Sequence, residues 1–434
     1  MLARLPSALL ATVLAVTVAA GIAVAQGAPR SSSATDEPPR VIHLARGFHY
    51  DVLATAGKTG VRSTEDGRRY AMPEDFDANT VVPAFKGRTW LLSGHELTDP
   101  RPGDYEGDIG KAHVDELTAG DGDSNGWGSV TRLTLAPNGR KVIASKIITT
   151  GLHNLCAGAQ TPWGTMLVNE EFPFVDDPGP YSGWVWEIDP ATGASTRLTG
   201  MGRFSHEQEA RARGGAWYLT DDFGDDRFLY RFVPDSPRDL VNGDLFGLVY
   251  DHAANTGRWV GPLDPLAPDA DMRARGYDPA VVGFEKSEGM IATPSGKGIV
   301  FSESGDEGNP GKVWKLTQLR RTGVKGRVLV NGSFGRLSHP DNIRYTPAGD
   351  LLIYEDNGDD LEAQPGTHGV NQIHVLPGGD GGASDLVPFA RTTNEPTGPW
   401  FSPNGEILYT SIQGDPSRVI AIHGRRGFDE PFKG

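Results

Sequence analysis

The chain has 434 residues, too many for an ordinary domain of about 100–200 unless one large β architecture takes them all. Its 57 Gly and 32 Pro exclude a helical bundle and require many short strands joined by tight turns. Lys and Arg number 41 against 56 Asp and Glu, a net charge of −15. That balance argues against nucleic acid as a partner and suits a protein that collects hard cations such as calcium.

At the N-terminus Arg4 precedes a nearly unbroken apolar run from Ala8 to Ala25, and Ala23-Val24-Ala25-Gln26 is an A-x-A cleavage pattern. Residues 1–25 are therefore expected to be an export signal. The mature protein is then secreted or held in the cell envelope, with no further membrane-spanning candidate. Residues 26–40 read as a disordered linker and residues 41–434 as one β domain. A degenerate first unit falls at about residues 80–97, VVPAFKGRTWLLSGHE, with a later strand from Ser129, SVTRLTLAP. Between them Asp121–Gly126, DGDSNG, matches the first half of a calcium-binding loop, but Arg132 stands at the twelfth position and the match fails.

Five further segments share one pattern: a ligand-type residue, an apolar strand, a turn, a second strand and an acidic or polar end. They begin at Cys156, Glu207, Glu288, Asp341 and Glu395, with intervals of 51, 81, 53 and 54 residues. The long interval holds a Pro- and Asp-rich insertion around Gly261–Tyr277. Further strands are expected at Gly183-WVWEID, Arg227-FLYRFV, Lys312-VWKLT, Asn371-QIHVL and Arg418-VIAIH. Six units of three or four short strands predict an all-β fold, a six-bladed β-propeller with a metal site at its central axis. A pair of β-sandwiches or a β-helix fits the unit length less well. Trp163, Trp186, Trp217, Trp314 and Trp400 follow the repeat and read as blade packing.

In an antiparallel hairpin the start of the first strand and the end of the second lie at one edge. The first residues of the inner strands, Cys156, Glu207, Glu288, Asp341 and Glu395, should therefore converge, with Asn342 beside Asp341. Fifteen residues after the first four stand Glu171, Asp222, Glu303 and Asp356. So many carboxylates around one axis repel and raise one another's pKa unless cations sit among them. Acidic residues at strand ends are often turn residues in water, and only their recurrence argues otherwise. Carboxylates suit calcium and a thiolate suits a transition metal, so one cysteine among carboxylates suggests two classes of metal. Close metals can clamp a phosphoryl group. An anionic substrate in an acidic cavity also needs a cationic side chain, for which Lys286, Arg203 and nearby Arg344 are the candidates. No G-x-S-x-G elbow, P-loop or G-x-G-x-x-G is present, and His95-Glu96 and His206-Glu207 lack the second His of a zinc protease motif.

The run His153-NLCAGAQTPWGTMLVNEE-Glu171 resembles the PhoX-type alkaline phosphatases, a secreted six-bladed propeller family. Gly202-RFSHE, Leu229-YRFV, Phe284-EKSE, Pro340-DNI and Glu395-PTGPWFSPNGE extend the likeness in order, from about residue 90 to 423. The resemblance implies a cluster of iron (Fe3+) and calcium (Ca2+) that hydrolyses small phosphate monoesters and some diesters. It implies that Cys156 is the iron ligand and that Glu171, Glu207, Glu288 and Asp341 occupy ligand positions. For a paired Asp of the family, Asp221-Asp222 and Asp225-Asp226 both qualify. Lys286 stands where the family has Arg, keeping the charge but losing the bidentate fork. The single Arg of the signal departs from the twin-Arg signal common in the family.

Two readings of other classes compete: a calcium-stabilised propeller that binds without catalysis, and a calcium-dependent lactonase or phytase-like hydrolase. The thiol separates them from the first reading, because those sites use oxygen and nitrogen ligands. A closed propeller needs no partner chain, and a monomer is expected.

Overall fold

The chain is built almost wholly of short antiparallel strands. The computed structural model describes residues 41–96, 128–171, 173, 182–223, 226–305, 308–320, 322–358, 370–425, 427–430 and 432. The expected signal and linker, the DGDSNG loop and Asp225 lie outside these residues. No helix among the described residues is long and apolar enough to cross a membrane.

Six hairpins recur along the described chain: Phe76–Pro83 with Thr89–His95, Leu155–Gln160 with Met166–Glu170, His206–Arg211 with Trp217–Asp221, Ser287–Ala292 with Gly298–Glu303, Pro340–Tyr345 with Leu351–Glu355, and Pro396–Phe401 with Ile407–Ile412. Four turns repeat one device. The N–H of Gly164, Gly296, Gly349 and Gly405 donates to the carbonyl of Thr161, Thr293, Thr346 and Ser402. The hydroxyls of these same four residues accept an N–H from the strand beyond. Each Gly is at positive φ, the conformation that such a turn favours in glycine.

Each second strand pairs onward with a third: Gly128–Leu135, Val185–Ile188, Tyr230–Pro234, Lys312–Thr317, Asn371–Leu376 and Arg418–Gly424. All the strands expected from the sequence are present. The third and fourth hairpins share one nine-stranded sheet. The strand Thr256–Val260, just ahead of the expected insertion, lies between Gly243–Asp251 and Thr322–Asn331 and pairs with both. A short helix, Pro268–Ala274, follows it.

The sheets stack face to face in a propeller-like arrangement. Side chains alternate across a strand, so consecutive residues of one second strand enter different cores. Leu167 packs with Trp217 and Leu219, while its neighbour Val168 packs with Leu92 and Leu155. Phe301 joins Tyr218 and Met290, whereas Val300 joins Ile343 and Ile353. Leu352 packs with Leu408, and Tyr409 with Phe76 and Leu91. Both faces are buried, so these strands read as continuous apolar runs. Trp186, Trp217, Trp314 and Trp400 are buried, as expected of packing residues. Trp163 is half-buried, its Nε1 donating to Glu187 at 2.6 Å.

The two ends of the described chain are joined through the sheets. Phe48–Thr55 pairs with Arg418–Gly424, and His43–Leu44 with Val387–Thr392. Inner strands are tied in turn. Asn169 Nδ2 donates to the Glu207 carbonyl, Gln208 Oε1 accepts from Met290 N–H, Asn342 Oδ1 accepts from Gly398 N–H, and Thr397 Oγ1 donates to the Phe76 carbonyl. At Gly398, φ is +56°, and a Cβ would stand 2.1 Å from the carbonyl oxygen of Asp77. Gly398→Ala is expected to lower the unfolding free energy by about 2 kcal/mol, read as an earlier urea midpoint at unchanged m-value.

Candidate functional site

The ligand-type residues gather because every inner strand carries a bulge at the same place. Three residues of the inner strand step past two of the second strand between His206↔Asp221 and Glu209↔Leu219. The same offset recurs in the other five hairpins. A bulge bends the strand and re-aims the extra residue. The residues set there are Asp77, Cys156, Glu207, Glu288 and Asp341, with Thr397 in the sixth hairpin. Two positions earlier, Asp75, Asn154, Lys286 and His339 hold φ between 39° and 47°, a left-handed turn that non-glycine residues rarely adopt.

A second set comes from the ends of the second strands. The N–H of Glu96, Glu171, Asp222, Ser304, Asp356 and Gln413 donates to the carbonyl of Asp75, Asn154, Ser205, Lys286, His339 and Glu395, at 2.8–3.1 Å. This shared bond marks the equivalent positions in all six hairpins.

Two groups of ligand atoms result. Asp77, Glu96 and Cys156 each offer one atom within 4.8 Å of the others, and so do Glu207, Glu288 and Asp341. The Cys156 thiol donates to Glu171 Oε2 at 3.2 Å, and Asn154 Nδ2 donates to that same oxygen at 2.5 Å. Burial, and then neighbouring carboxylates, push the Asp77, Glu171, Glu207 and Glu288 carboxyls well above the usual range. Burial raises Asp341 to about 7, with the Asp356 charge adding to it. Burial and the charges of Glu171 and Glu207 push the Cys156 thiol up. Lys286 brings positive charge, its Nζ 3.3 Å from Glu288 Oε1 and 3.9 Å from Asp222 Oδ2. Those two carboxylates hold the Lys286 ammonium protonated far above its ordinary range.

Of the residues singled out in the sequence, Cys156, Glu171, Glu207, Asp222, Glu288, Asp341 and Asp356 meet here. The Asp356 charge bears on Asp77, Asp341 and Glu395. Glu395 lies two positions before the bulge rather than at it, and reaches the group through the fields of Asp356, Asp341, Glu96 and Asp77.

Glu303 does not join them. It pairs with Ser287 inside the ladder, one residue short of the equivalent position, which Ser304 fills. Both its oxygens face the sheet: Oε1 accepts from Glu285 N–H at 3.2 Å, and Oε2 from Trp314 Nε1 and Lys312 Nζ. The Asn342 amide bridges Asp341 Oδ1 and Gly398 N–H, so its contacts are those of a brace. Arg203 Nε donates to the Ser182 carbonyl at 2.9 Å. Arg344 lies flat on Trp400, 3.4 Å from the ring centre, and burial lowers it to about 9.

Asp77 and Glu96 were missed by the repeat pattern. The other equivalent positions stand fifteen or sixteen residues apart, but a longer turn through Phe85–Gly87 separates these two by nineteen (96 − 77). The signal was the dipeptide His95-Glu96, which matches Glu170-Glu171 and Asp221-Asp222 at the end of a second strand.

A family model described as alkaline phosphatase PhoX matches residues 130–415. Among solved structures, Pseudomonas fluorescens PhoX in complex with vanadate, a transition state analogue, aligns with a TM-score of 0.65 at 18% identity, over 89% of this chain and 96% of that one. A Dyadobacter fermentans protein of unknown function aligns at 0.48 and 11% identity, over 88% and 100% of the two chains. A comparison with curated proteins finds no match. The chain belongs to the PhoX alkaline phosphatase family and is a phosphoric ester hydrolase.

Proposed function

We propose that the chain is a secreted, metal-dependent phosphatase acting on small phosphate monoesters, with diesters as further substrates, and that calcium and iron occupy its carboxylate–thiol cluster. The observation that carries the metal reading is the pair of three-ligand groups, in which buried Asp77 Oδ1 has no hydrogen-bond partner. Buried Asp222 Oδ1, which Lys286 does not reach, has none either. The donor set fits the metals. Glu207, Glu288 and Asp341, with Asp222 and Asp356, would hold a hard cation through oxygen. Cys156, with Asp77, Glu96 and Glu171, would hold a softer one. Bound metals supply positive charge for the phosphoryl oxygens and activate water.

Lys286 binds the phosphate beside Glu288, its positive charge offsetting part of the repulsion between the phosphate and the acidic rim. Thr397, at the sixth bulge, does not serve as a nucleophile, because its hydroxyl donates to the Phe76 carbonyl at 3.0 Å. Lys286→Met is expected to raise KM for a phosphate monoester at least about tenfold, the scale of one charged hydrogen bond. Lys286→Arg should restore it. A KM unchanged in the Met variant would remove Lys286 from the site.

The test of the whole reading is elemental analysis with a visible spectrum of the purified protein. Iron near one equivalent, calcium, and a thiolate-to-metal band absent in Cys156→Ala are expected. Calcium alone, with a titratable thiol, would overturn the iron assignment.

We also infer that the sheets close as six blades. The interleaved cores and the tied inner strands support this count, and an experimental map with another number of sheets would correct it. Export rests on the sequence of residues 1–25, and secreted protein is expected to begin at Gln26 on N-terminal sequencing.

A further inference from the structure

The dipeptides that end the second strands divide their work. The second member, Glu171, Ser304 or Asp356, clasps with its N–H the carbonyl of the residue in the left-handed turn. The first member points the other way, into the sheet. Glu170 Oε1 accepts from His153 N–H at 3.1 Å and Oε2 from Trp184 N–H at 3.3 Å. Glu355 Oε1 accepts from Ser338 N–H, and Oε2 from Gln372 N–H, both at 3.0 Å. Glu303 does the same with Glu285 N–H on one oxygen and Trp314 and Lys312 on the other.

In each hairpin the N–H taken lies three residues before the bulge residue: His153 before Cys156, Glu285 before Glu288, Ser338 before Asp341. The other oxygen is tied to the third strand or the segment leading into it. The first hairpin reaches the same end with another residue. His95 Nδ1 donates to the Glu74 carbonyl at 2.6 Å, three before Asp77, and Nε2 meets Thr131 Oγ1 of the third strand at 3.0 Å. Four hairpins thus grip the turn from both sides, side chain on the backbone of one residue and backbone on that of the next.

We propose that Glu170, Glu303 and Glu355 are positioning residues, carboxylate clamps that lock the left-handed turns at Asn154, Lys286 and His339 and so fix the aim of Cys156, Glu288 and Asp341. The strained turn persists only while its surroundings over-determine it. A carboxylate accepts at both oxygens, whereas an amide of the same shape sets an NH2 group against one of the donors. Glu→Gln therefore breaks one arm of the clamp with almost no change of volume. Partners behind metal ligands typically govern affinity by 10–100-fold.

The inference rests on the metal reading above, and its test separates the two. Full-length protein is stripped with EDTA and titrated with calcium alone, as wild type, Glu303→Gln, Glu355→Gln and Glu170→Gln. The first two variants are expected to bind calcium about 10–100-fold more weakly. Hydrogen exchange should show lost protection at the amides of residues 285, 338 and 153, each in its own variant. Val330→Ala, buried in the core beside Ile343 and Ile353, serves as a control that destabilises without touching a clamp. Should one variant fail to fold, the others carry the same test in separate hairpins. Wild-type calcium affinity in the folded variants, or an equal loss in Val330→Ala, would overturn the clamp. If wild type itself takes up no calcium, the metal reading fails. The clamp is then decided by hydrogen exchange, where unchanged protection rejects it.

Discussion

Cys156→Ala and Glu288→Ala are each expected to abolish phosphate release and to lose metal from the cluster, with activity falling more than about a hundredfold, beyond the loss typical of an outer partner. Each removes one atom of a three-ligand group, Cys156 from beside Asp77 and Glu96, and Glu288 from beside Glu207 and Asp341. The two substitutions act on opposite sides of the metal set. Cys156→Ala should remove the thiolate band while leaving calcium uptake in part, because Glu207, Glu288 and Asp341 remain. Glu288→Ala should abolish calcium uptake and also release Lys286, which loses its nearest carboxylate. Stability supplies an independent reading of opposite sign. Without metal, Glu288 sits buried among Asp222, Asp341 and Glu171, whose charges all oppose its ionisation. The metal-free Glu288→Gln protein should therefore melt above metal-free wild type at pH 8. With calcium present the order should reverse. Full activity with normal metal content in either Ala variant would overturn the ligand assignment.

How much was legible depended on whether the spacing stayed constant. Cys156, Glu207, Glu288 and Asp341 could be read because similar short turns keep each hairpin in register, so the bulge residue recurs at a fixed distance from the turn. The same regularity misled at Glu303. Counting fifteen residues from Glu288 lands one position early, and one step along a strand moves a side chain to the opposite face. Glu303 thus enters the sheet as a clamp instead of the axis. Asp77 stayed hidden behind the longer turn at Phe85–Gly87, and Glu395 drew attention because the bulge position in its hairpin holds Thr397. The bulges themselves have no sequence signature here. Their residues run Asp-Ala, Cys-Ala, Glu-Gln, Glu-Gly, Asp-Asn and Thr-Gly. The apolar runs of the second strands were read easily, because burial on both faces keeps their central residues apolar. The merging of two sheets through Thr256–Val260 could not be read, since the repeat pattern places no strand there.

Metal-free protein loses stability as pH rises from 6.5 to 9, the reverse of metal-loaded protein. Burial raises Glu170 and Asp341 to about 7 and Glu209 to about 8. Each folded carboxyl therefore keeps a proton that the unfolded chain has already released above its ordinary range. The folded state binds more protons, so its stability falls with pH until each raised pKa is passed. Starting from pH 6.5, half a unit remains for each of the first two and about one and a half for Glu209, which together withdraw about 3 kcal/mol by pH 9. The buried histidines oppose this at the start of the window. Burial lowers His95 and His153 to about 4 and His206 to about 3, so the folded rings are neutral while the unfolded chain is still half-protonated at pH 6.5, an offset of about 1 kcal/mol that is spent by about pH 7.5. Below that pH they pull the other way, because the unfolded chain protonates them first. Calcium inverts the slope: its ligands must be deprotonated, so affinity rises with pH. A concentration of a hundred times Kd stabilises by about 2.7 kcal/mol. Thermal melts in EDTA and in calcium at pH 6.5, 7.5 and 9 should diverge, the first falling by several degrees. Parallel curves would mean that these buried carboxyls do not hold their protons above the ordinary range. The acidic cluster is thus a destabilised arrangement on its own, kept in place by the packed sheets around it, and relieved when cations enter.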